Sequence, residues 1–367
     1  MRIVIHGQEI DGKMAKIRLS EPKIFADNEA RGRSGHVGHA MTEFAPGKII
    51  AFSTNTSAKR AYGHSSFGWV EYSVSEDFGE SFGEVRVLPY SMELLLDGLH
   101  TVCVEKAITC EGGVIVAFCL ITSQLKEFCC EPYGIPMVLI SKDGGDSWEA
   151  AKPLCEYRGR VYDALYREGT AYVLMSCNDA EESFYASKPE HVYRLYKSTD
   201  NCESFTEVST IPFNTDGRAY GNMIITESGE LIAYAYNYND EHSLDYAVSR
   251  DFGLSWDKPE VAYLKKCIRN PQVGILDGQF IMHGRAGESE GASSSFVFYT
   301  SADGKNWDEG TLLGSGKYAC FYSENLTLKL PSGKEKMLVK YSENYTSVEG
   351  KWTGQVNSMM MTIETVK

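Results

Sequence analysis

Five near-copies of one short pattern constrain this chain more than any other feature. The stretch SKDGGDSW occupies residues 141–148, with SEDFGESF at 75–82, STDNCESF at 198–205, SRDFGLSW at 249–256 and a shorter SADGKNW at 301–307. Successive leading serines are 66, 57, 51 and 52 residues apart, a spacing that belongs to propeller blades or solenoid units. The segments between copies choose between the two. Each holds paired apolar, β-branched or aromatic runs of strand length, such as GVIVAFCLIT then PMVLIS, or ELIAYAYN then LDYAVS, bounded by Gly, Asp and Asn and lacking helical periodicity.

Ahead of each pair lies a further strand ending in a tight turn, as in HAMTEFAPG, VYDALYREG and GNMIITESG. One unit therefore reads as four antiparallel strands, and FYSENLTLKLPSGKEKMLVKYSEN with the C-terminal GQVNSMMMTIETVK makes a sixth unit. The expected fold is all-β: a six-bladed β-propeller of four-stranded antiparallel blades, in one domain over 1–367, with an N-terminal strand helping to close the ring and helix scarce. The repeated box then falls on the hairpin between the last two strands of a blade. Its Asp accepts amide hydrogen bonds from its own turn, its Gly supplies a positive φ, and its aromatic residue pins the turn to the blade. That is a structural role for Asp143 and its equivalents, in preference to calcium binding.

A formal net charge of -14 argues against nucleic acid or an anionic membrane as the main partner, so a local cluster of arginines carries information. Ten cysteines without a CxxC pair or histidines at zinc spacing indicate neither a metal site nor a disulfide framework. The start, MRIVIHGQEIDGKMAKI, has no apolar core before a cleavage site, and no run of about 18 apolar residues follows. The expectation is a reducing, cytoplasmic setting with no cofactor and no metal, in which the Asn-x-Thr sequons at Asn325 and Asn344 carry no weight.

In a propeller the innermost strands converge on the axis, so their starts face one funnel. Aligned on the glycine of the first turn (Gly47, Gly113, Gly169, Gly229, Gly278 and Gly333), the six starts fall at 36–39, 102–105, 158–161, 218–221, 267–270 and 322–325. A purely structural core would be apolar there. Instead these windows hold His36 and His39, Glu105, Arg158 and Arg160, Arg218 with Tyr220, Arg269 with Asn270, and Tyr322 with Glu324, while His100 and Tyr318 lie just ahead of two of them. Arg158 and Arg160 alternate with Gly159 and Val161 and so point to one face, with Asp163 as a candidate salt-bridge partner. Two Gly/Ser-rich connections add Arg60, Tyr62 and His64, and His283 and Arg285. Several basic residues in one funnel of an acidic protein point to an anionic ligand, typically a carboxylate held bidentately by Arg.

The box S-x-D-x-G-x-x-[WF] resembles the Asp box of the sialidase (neuraminidase) superfamily, over nearly the whole chain from about residue 33. That resemblance implies an Arg triad for the sialic-acid carboxylate, a Tyr nucleophile activated by a Glu, and an Asp acid/base on a loop of the first blade. FYSENL looks like the family's sixth-blade Tyr-Ser motif and carries the nucleophile role onto Tyr322. Arg218, Arg269 or Arg285 supplies two of the three arginines. This chain departs from the family's pattern in three places. GHVGHAMTEFAPG puts His36 and Val37 where an Arg-Ile-Pro motif stands, leaving Arg33 as the substitute; the first-blade loop offers Tyr62 and His64 instead of Asp; and GRAYGN places Tyr220 where the Glu is expected, so that Glu105 or Glu324 would have to reach Tyr322.

Three functions follow as expectations. The first is a glycoside hydrolase acting on an acidic sugar, a sialic acid or uronate-linked glycan. In it Tyr322 is nucleophile or proton donor, His39 or His64 the acid/base, and Arg160, Arg218, Arg269 and Arg285 the carboxylate clamp. The second is a His/Tyr lyase on uronate-containing glycans, since a near-neutral His and a Tyr suit proton abstraction and return. The third is a propeller that binds carbohydrate without turnover.

Overall fold

The structure is a computed structural model that describes residues 8–58, 67–123, 134–178, 190–286, 294–316, 321–343 and 355–366. Six antiparallel sheets make six blades in chain order. Their innermost strands are Met41–Ala45 with the short Arg33–Ser34 ahead of it, His100–Thr109, Gly159–Arg167, Arg218–Ile225, Arg269–Leu276 and Ser323–Lys329. Neighbouring inner strands touch all the way round, the sixth meeting the first, so the ring is closed.

Closure uses the N-terminus. In the sixth blade Ser358–Val366 pairs with Lys16–Leu19, in the register Lys16↔Val366 to Leu19↔Ile363, and also with Lys23–Ala26. The outer strand of the last blade thus comes from the start of the chain, as the strand count of the sixth unit requires.

Apolar side chains bury themselves between blades. One cluster joins the first and second through Phe52, Tyr72, Val104 and Ile115, and another joins the fifth and sixth through Leu276, Phe298, Val339 and Ile363. The remaining seams repeat the arrangement, down to Met41, Ile49, Leu328 and Leu338 between the sixth and the first. Alternating strands with two buried faces explain why most inner and second strands read as nearly continuous apolar runs.

The repeated boxes lie on the hairpins between third and fourth strands. In the second blade Ser141 donates to Asp143 at 2.9 Å, while the amides of Gly145 and Ser147 donate to Ser141 Oγ and Asp143 Oδ1 at 2.8 and 2.9 Å. The same net recurs at Ser75–Asp77, Ser198–Asp200, Ser249–Asp251 and Ser301–Asp303. These donors hold all five carboxyls down to about 2. Ser81, Ser147 and Ser255 lead at Asp77, Asp143 and Asp251, Ser198 then Ser204 at Asp200, and at Asp303 burial works the other way and is outweighed by Asn306. The turns also reach back to the preceding blade: Tyr72 donates to Gly145 O at 2.7 Å, Ser209 to Gly253 O at 2.5 Å and Tyr234 to Gly304 O at 2.8 Å.

One α-helix, Pro89–Leu96, interrupts the connection from first to second blade. Proline at its start needs no amide partner there. Its buried Ser91 accepts from Val70 N at 2.9 Å and donates to Leu88 O at 2.7 Å, which fixes the helix against the first blade.

Candidate functional site

At the end of the axis where the inner strands begin, five of the six blades break their regular pairing, and the sixth keeps it from Ser323 onward. Register shifts leave Glu105, Tyr162 and Tyr220 unpaired in the second, third and fourth blades, and Asn270 lies in the shifted stretch of the fifth. In the first blade, residues 35–40 separate the two inner segments. Tyr220 and Asn270 take φ of 47° and 53°, a region that side chains enter at a cost. A bulge re-aims a side chain that a flat strand would hold in the seam. Here the bulged Glu105, Tyr162, Tyr220 and Asn270 line one pocket together with Val37, Gly38 and His39, Arg160, and Tyr322 with Glu324.

Arg160 is buried and donates Nε and Nη2 to Glu105 Oε2 at 3.1 and 2.5 Å. Its guanidinium lies 4.9 Å from the Tyr220 ring and 5.6 Å from that of Tyr162. The pairing of Asp163 with Arg158 and Arg160 is thereby corrected: Glu105 is the carboxylate of Arg160, and Arg158 is exposed one residue ahead of the strand. The Tyr322 ring faces His36 at 6.3 Å and Tyr220 at 6.2 Å, with the Arg285 guanidinium 5.9 Å from its centre. Asn270 is 4% exposed, and its Nδ2 has no hydrogen-bond partner among the described residues.

Below this layer a buried polar plug crosses the axis. Lys106 pairs with Glu324 and, at 3.3 Å, with Asp163, and donates to Gln272 Oε1 at 2.6 Å. Asn222 donates to Asp163 Oδ2 at 2.6 Å, and the amide of Met223 reaches the same oxygen at 2.7 Å. Burial opposes the charge on Lys106, but the two carboxylates outweigh it and its pKa is raised; burial raises both acids. Beyond the plug, on the other side of the molecule, a cavity of about 490 Å³ is walled by Ile108, Leu165, Ile224, Ile275 and Leu326.

The arginines expected as a clamp do not all converge. Arg218 donates to Asp245 Oδ2 at 3.0 Å within the fourth blade and Arg269 of the fifth blade pairs with Glu241 of the fourth at 3.2 Å, so each has a carboxylate of its own. Arg285 alone of the four forms no ion pair among the described residues and carries its charge to the Tyr322 ring. Arg33 is held over Trp69 at 4.7 Å by Asn55, outside the pocket lining. His39 reaches the wall of the pocket with both ring nitrogens occupied: Nε2 on His36 O at 3.2 Å and Nδ1 on Lys340 Nζ at 3.3 Å. Burial, then the Lys340 charge, push its pKa well below the ordinary value. In this arrangement both ring nitrogens of His39 are engaged within the protein. His283 is likewise buried, bonded to Ser323 and Asn325, and pushed down to about 3 by burial. His100 pairs with Asp97 at 2.9 Å away from the pocket. Arg60, Tyr62, His64 and Tyr318 lie outside the described residues.

Lys106, Tyr162, Asn222 and Gln272 are the site residues that the sequence windows left out. Their signal was there: each is a polar or aromatic interruption one or two residues inside an apolar inner strand. Among the described residues no cluster of His, Cys, Asp and Glu could hold a metal ion, and no helix is long and apolar enough to cross a membrane.

No protein-family model matches the sequence, and no curated protein does. Solved structures do. A protein of unknown function from Dyadobacter fermentans superposes with a TM-score of 0.70 at 14% identity, over 95% of this chain and 99% of that one. The Hadza microbial sialidase Hz136 follows at 0.63 and 14%, over 92% and 66%, and a mutant of the NanB sialidase from Streptococcus pneumoniae at 0.62 and 11%, over 90% and 68%. The fold of this chain is that of sialidase propellers.

Proposed function

We propose that the pocket binds the carboxylate of a small acidic sugar, a sialic acid or a uronate, and that the protein cleaves the glycosidic bond beside it. The observation that carries this reading is the meeting of Tyr322, Arg285, Asn270 and the Glu105–Arg160 pair at one mouth. Arg285 takes the carboxylate, because Arg160, Arg218 and Arg269 already face internal acids. The Tyr322 oxygen attacks the anomeric carbon as the glycosidic bond breaks, and water then displaces the sugar from that oxygen. Glu105, held by Arg160, moves the proton. Asn270 Nδ2 donates to a sugar hydroxyl, which supplies the partner it lacks. The likeness in fold to Hz136 and NanB supports a sugar acid as ligand.

A lyase is the second reading, favoured by the contact of His36 with Tyr322, a His and a Tyr at the mouth of the funnel. In it one abstracts the proton next to the uronate carboxylate and the other returns a proton to the leaving oxygen. One assay separates the two. The purified protein is incubated with sialosides and uronate oligosaccharides while released sugar and the ultraviolet absorbance of an unsaturated uronate are both followed, with Tyr322→Phe and His36→Ala alongside. Free sugar acid lost in Tyr322→Phe supports cleavage by hydrolysis. Unsaturated product lost in His36→Ala moves the protein to the lyases. No product from any substrate overturns both and leaves a binding propeller.

A further inference from the structure

The third turn differs from its four siblings at the residue whose amide donates to the leading Ser. There Gly79, Gly145 and Gly253, each two residues after the Asp, and Gly304, directly after it in the shorter fifth turn, take φ of 83°, 92°, 89° and 71°, while the third turn carries Cys202 at 65°. The glycines have two reasons to be there. The left-handed backbone disfavours a side chain, and the preceding blade leaves no space: a Cβ added at Gly79, Gly145 or Gly253 would lie 2.6 Å from Leu338, 2.9 Å from Ile50 or 2.0 Å from Leu195. Cys202 breaks this rule, and the group that it meets on the preceding blade is the thiol of Cys110, with 3.7 Å between the sulfurs and both side chains buried. Neither end is loose. Cys202 N donates to Ser198 Oγ at 3.0 Å, and Cys110 N to Val114 O at 2.8 Å.

We propose that Cys110 and Cys202 form a disulfide that locks the second blade to the third. This inference does not depend on the proposed reaction. A disulfide S–S bond is about 2.05 Å long, so the sulfurs approach by less than about 2 Å, the scale of a side-chain rotation. With hydrogen peroxide as oxidant the step balances. One sulfur attacks the O–O bond, an S–O bond forms, and the departing oxygen leaves as water with the thiol proton. The second sulfur then attacks the sulfenic sulfur, the S–S bond forms, the S–O bond breaks, and a second water leaves. Two thiols are oxidised and one peroxide is reduced. Burial makes the reaction slow, gated by opening of the turn, and shields the product from reductants. The two cysteines are 92 residues apart, a long loop whose closure restricts the unfolded chain strongly.

The test is oxidation of the purified protein with hydrogen peroxide, followed by alkylation of free thiols, digestion and mass spectrometry, with thermal melts before and after. The expected result is a peptide pair crosslinked through Cys110 and Cys202 and a Tm raised by roughly 5 °C, both reversed by dithiothreitol. Cys202→Gly, the residue that the sibling turns carry, should fold, keep a Tm within about 2 °C of the reduced protein, and lose both the crosslink and the rise. Recovery of Cys110 and Cys202 as alkylated thiols or as separate sulfinic acids would overturn the proposal, as would a Tm rise that persists in Cys202→Gly.

Discussion

The five serine–aspartate turns and the six strand starts belong to the same blades, yet they were written under opposite rules. The turns are near-copies, and their carboxyls are all held down to about 2. The strand starts follow no common residue: His39, Glu105, Arg160, Tyr220, Asn270 and Tyr322 come one from each blade, with only tyrosine recurring, and meet at one pocket. A repeated residue solves a problem that every blade has, how to turn a hairpin and grip the blade before it. An unrepeated one solves a problem that the molecule has once. In a repeat protein the departures from the repeat are therefore where chemistry is to be sought, and Cys202, which stands where the sibling turns carry glycine, belongs with the pocket in that sense.

Variants sharpen the contrast, beginning with the plug. Lys106→Ala leaves Asp163 and Glu324 buried without their cation and should cost about 3–5 kcal/mol of stability in denaturant titration; a change below about 1 kcal/mol would mean that water replaces the lysine. Tyr322→Phe should reduce turnover of an active sugar by roughly 10²–10³-fold and leave the melting curve in place, since the ring and its contacts with His36 and Tyr220 remain. An equal loss of stability would show Tyr322 to be part of the scaffold.

Lys340 gives a pH signature. It is buried at the seam between the sixth and first blades, donates to Phe52 O, and burial brings its pKa down to about 7 from 10.5. Its folded pKa lies below its unfolded one, so between pH 7 and 10.5 the unfolded chain binds more protons, and stability rises with pH over that window. Lys340→Met should flatten the rise, and an unchanged slope would assign it to another group. The turns give the smallest effect and the opposite limb. Asp251→Ala should lower Tm by roughly 2 °C. In the parent protein the shared contribution of the five aspartates is present above pH 3.8 and is lost as pH falls toward 2.

Most of the fold was legible because each box marks the same hairpin, which fixes where a blade's third strand ends and its fourth begins. The helix Pro89–Leu96 was not, since eight residues within a connection carry too little periodicity to stand out. The strand-start windows held many of the pocket residues, and they missed Lys106 and Gln272 because these stand one and two residues beyond the windows, on the side of the turn glycine. The fate of Arg218 and Arg269 was hidden for a different reason. Their carboxylates, Asp245 on the third strand of the fourth blade and Glu241 in the connection before that strand, lie 27 and 28 residues away, and spacing along one strand does not report a partner elsewhere.

The account stands on Arg285 and Tyr322 receiving a sugar carboxylate at the mouth. Calorimetric titration with a free sialic acid and with glucuronic acid, set against their methyl esters, tests it most directly. The account predicts that at least one acid binds, that its ester binds at least tenfold more weakly, and that Arg285→Ala abolishes the difference. Equal binding of acid and ester, or an acid preference that survives in Arg285→Ala, would contradict it.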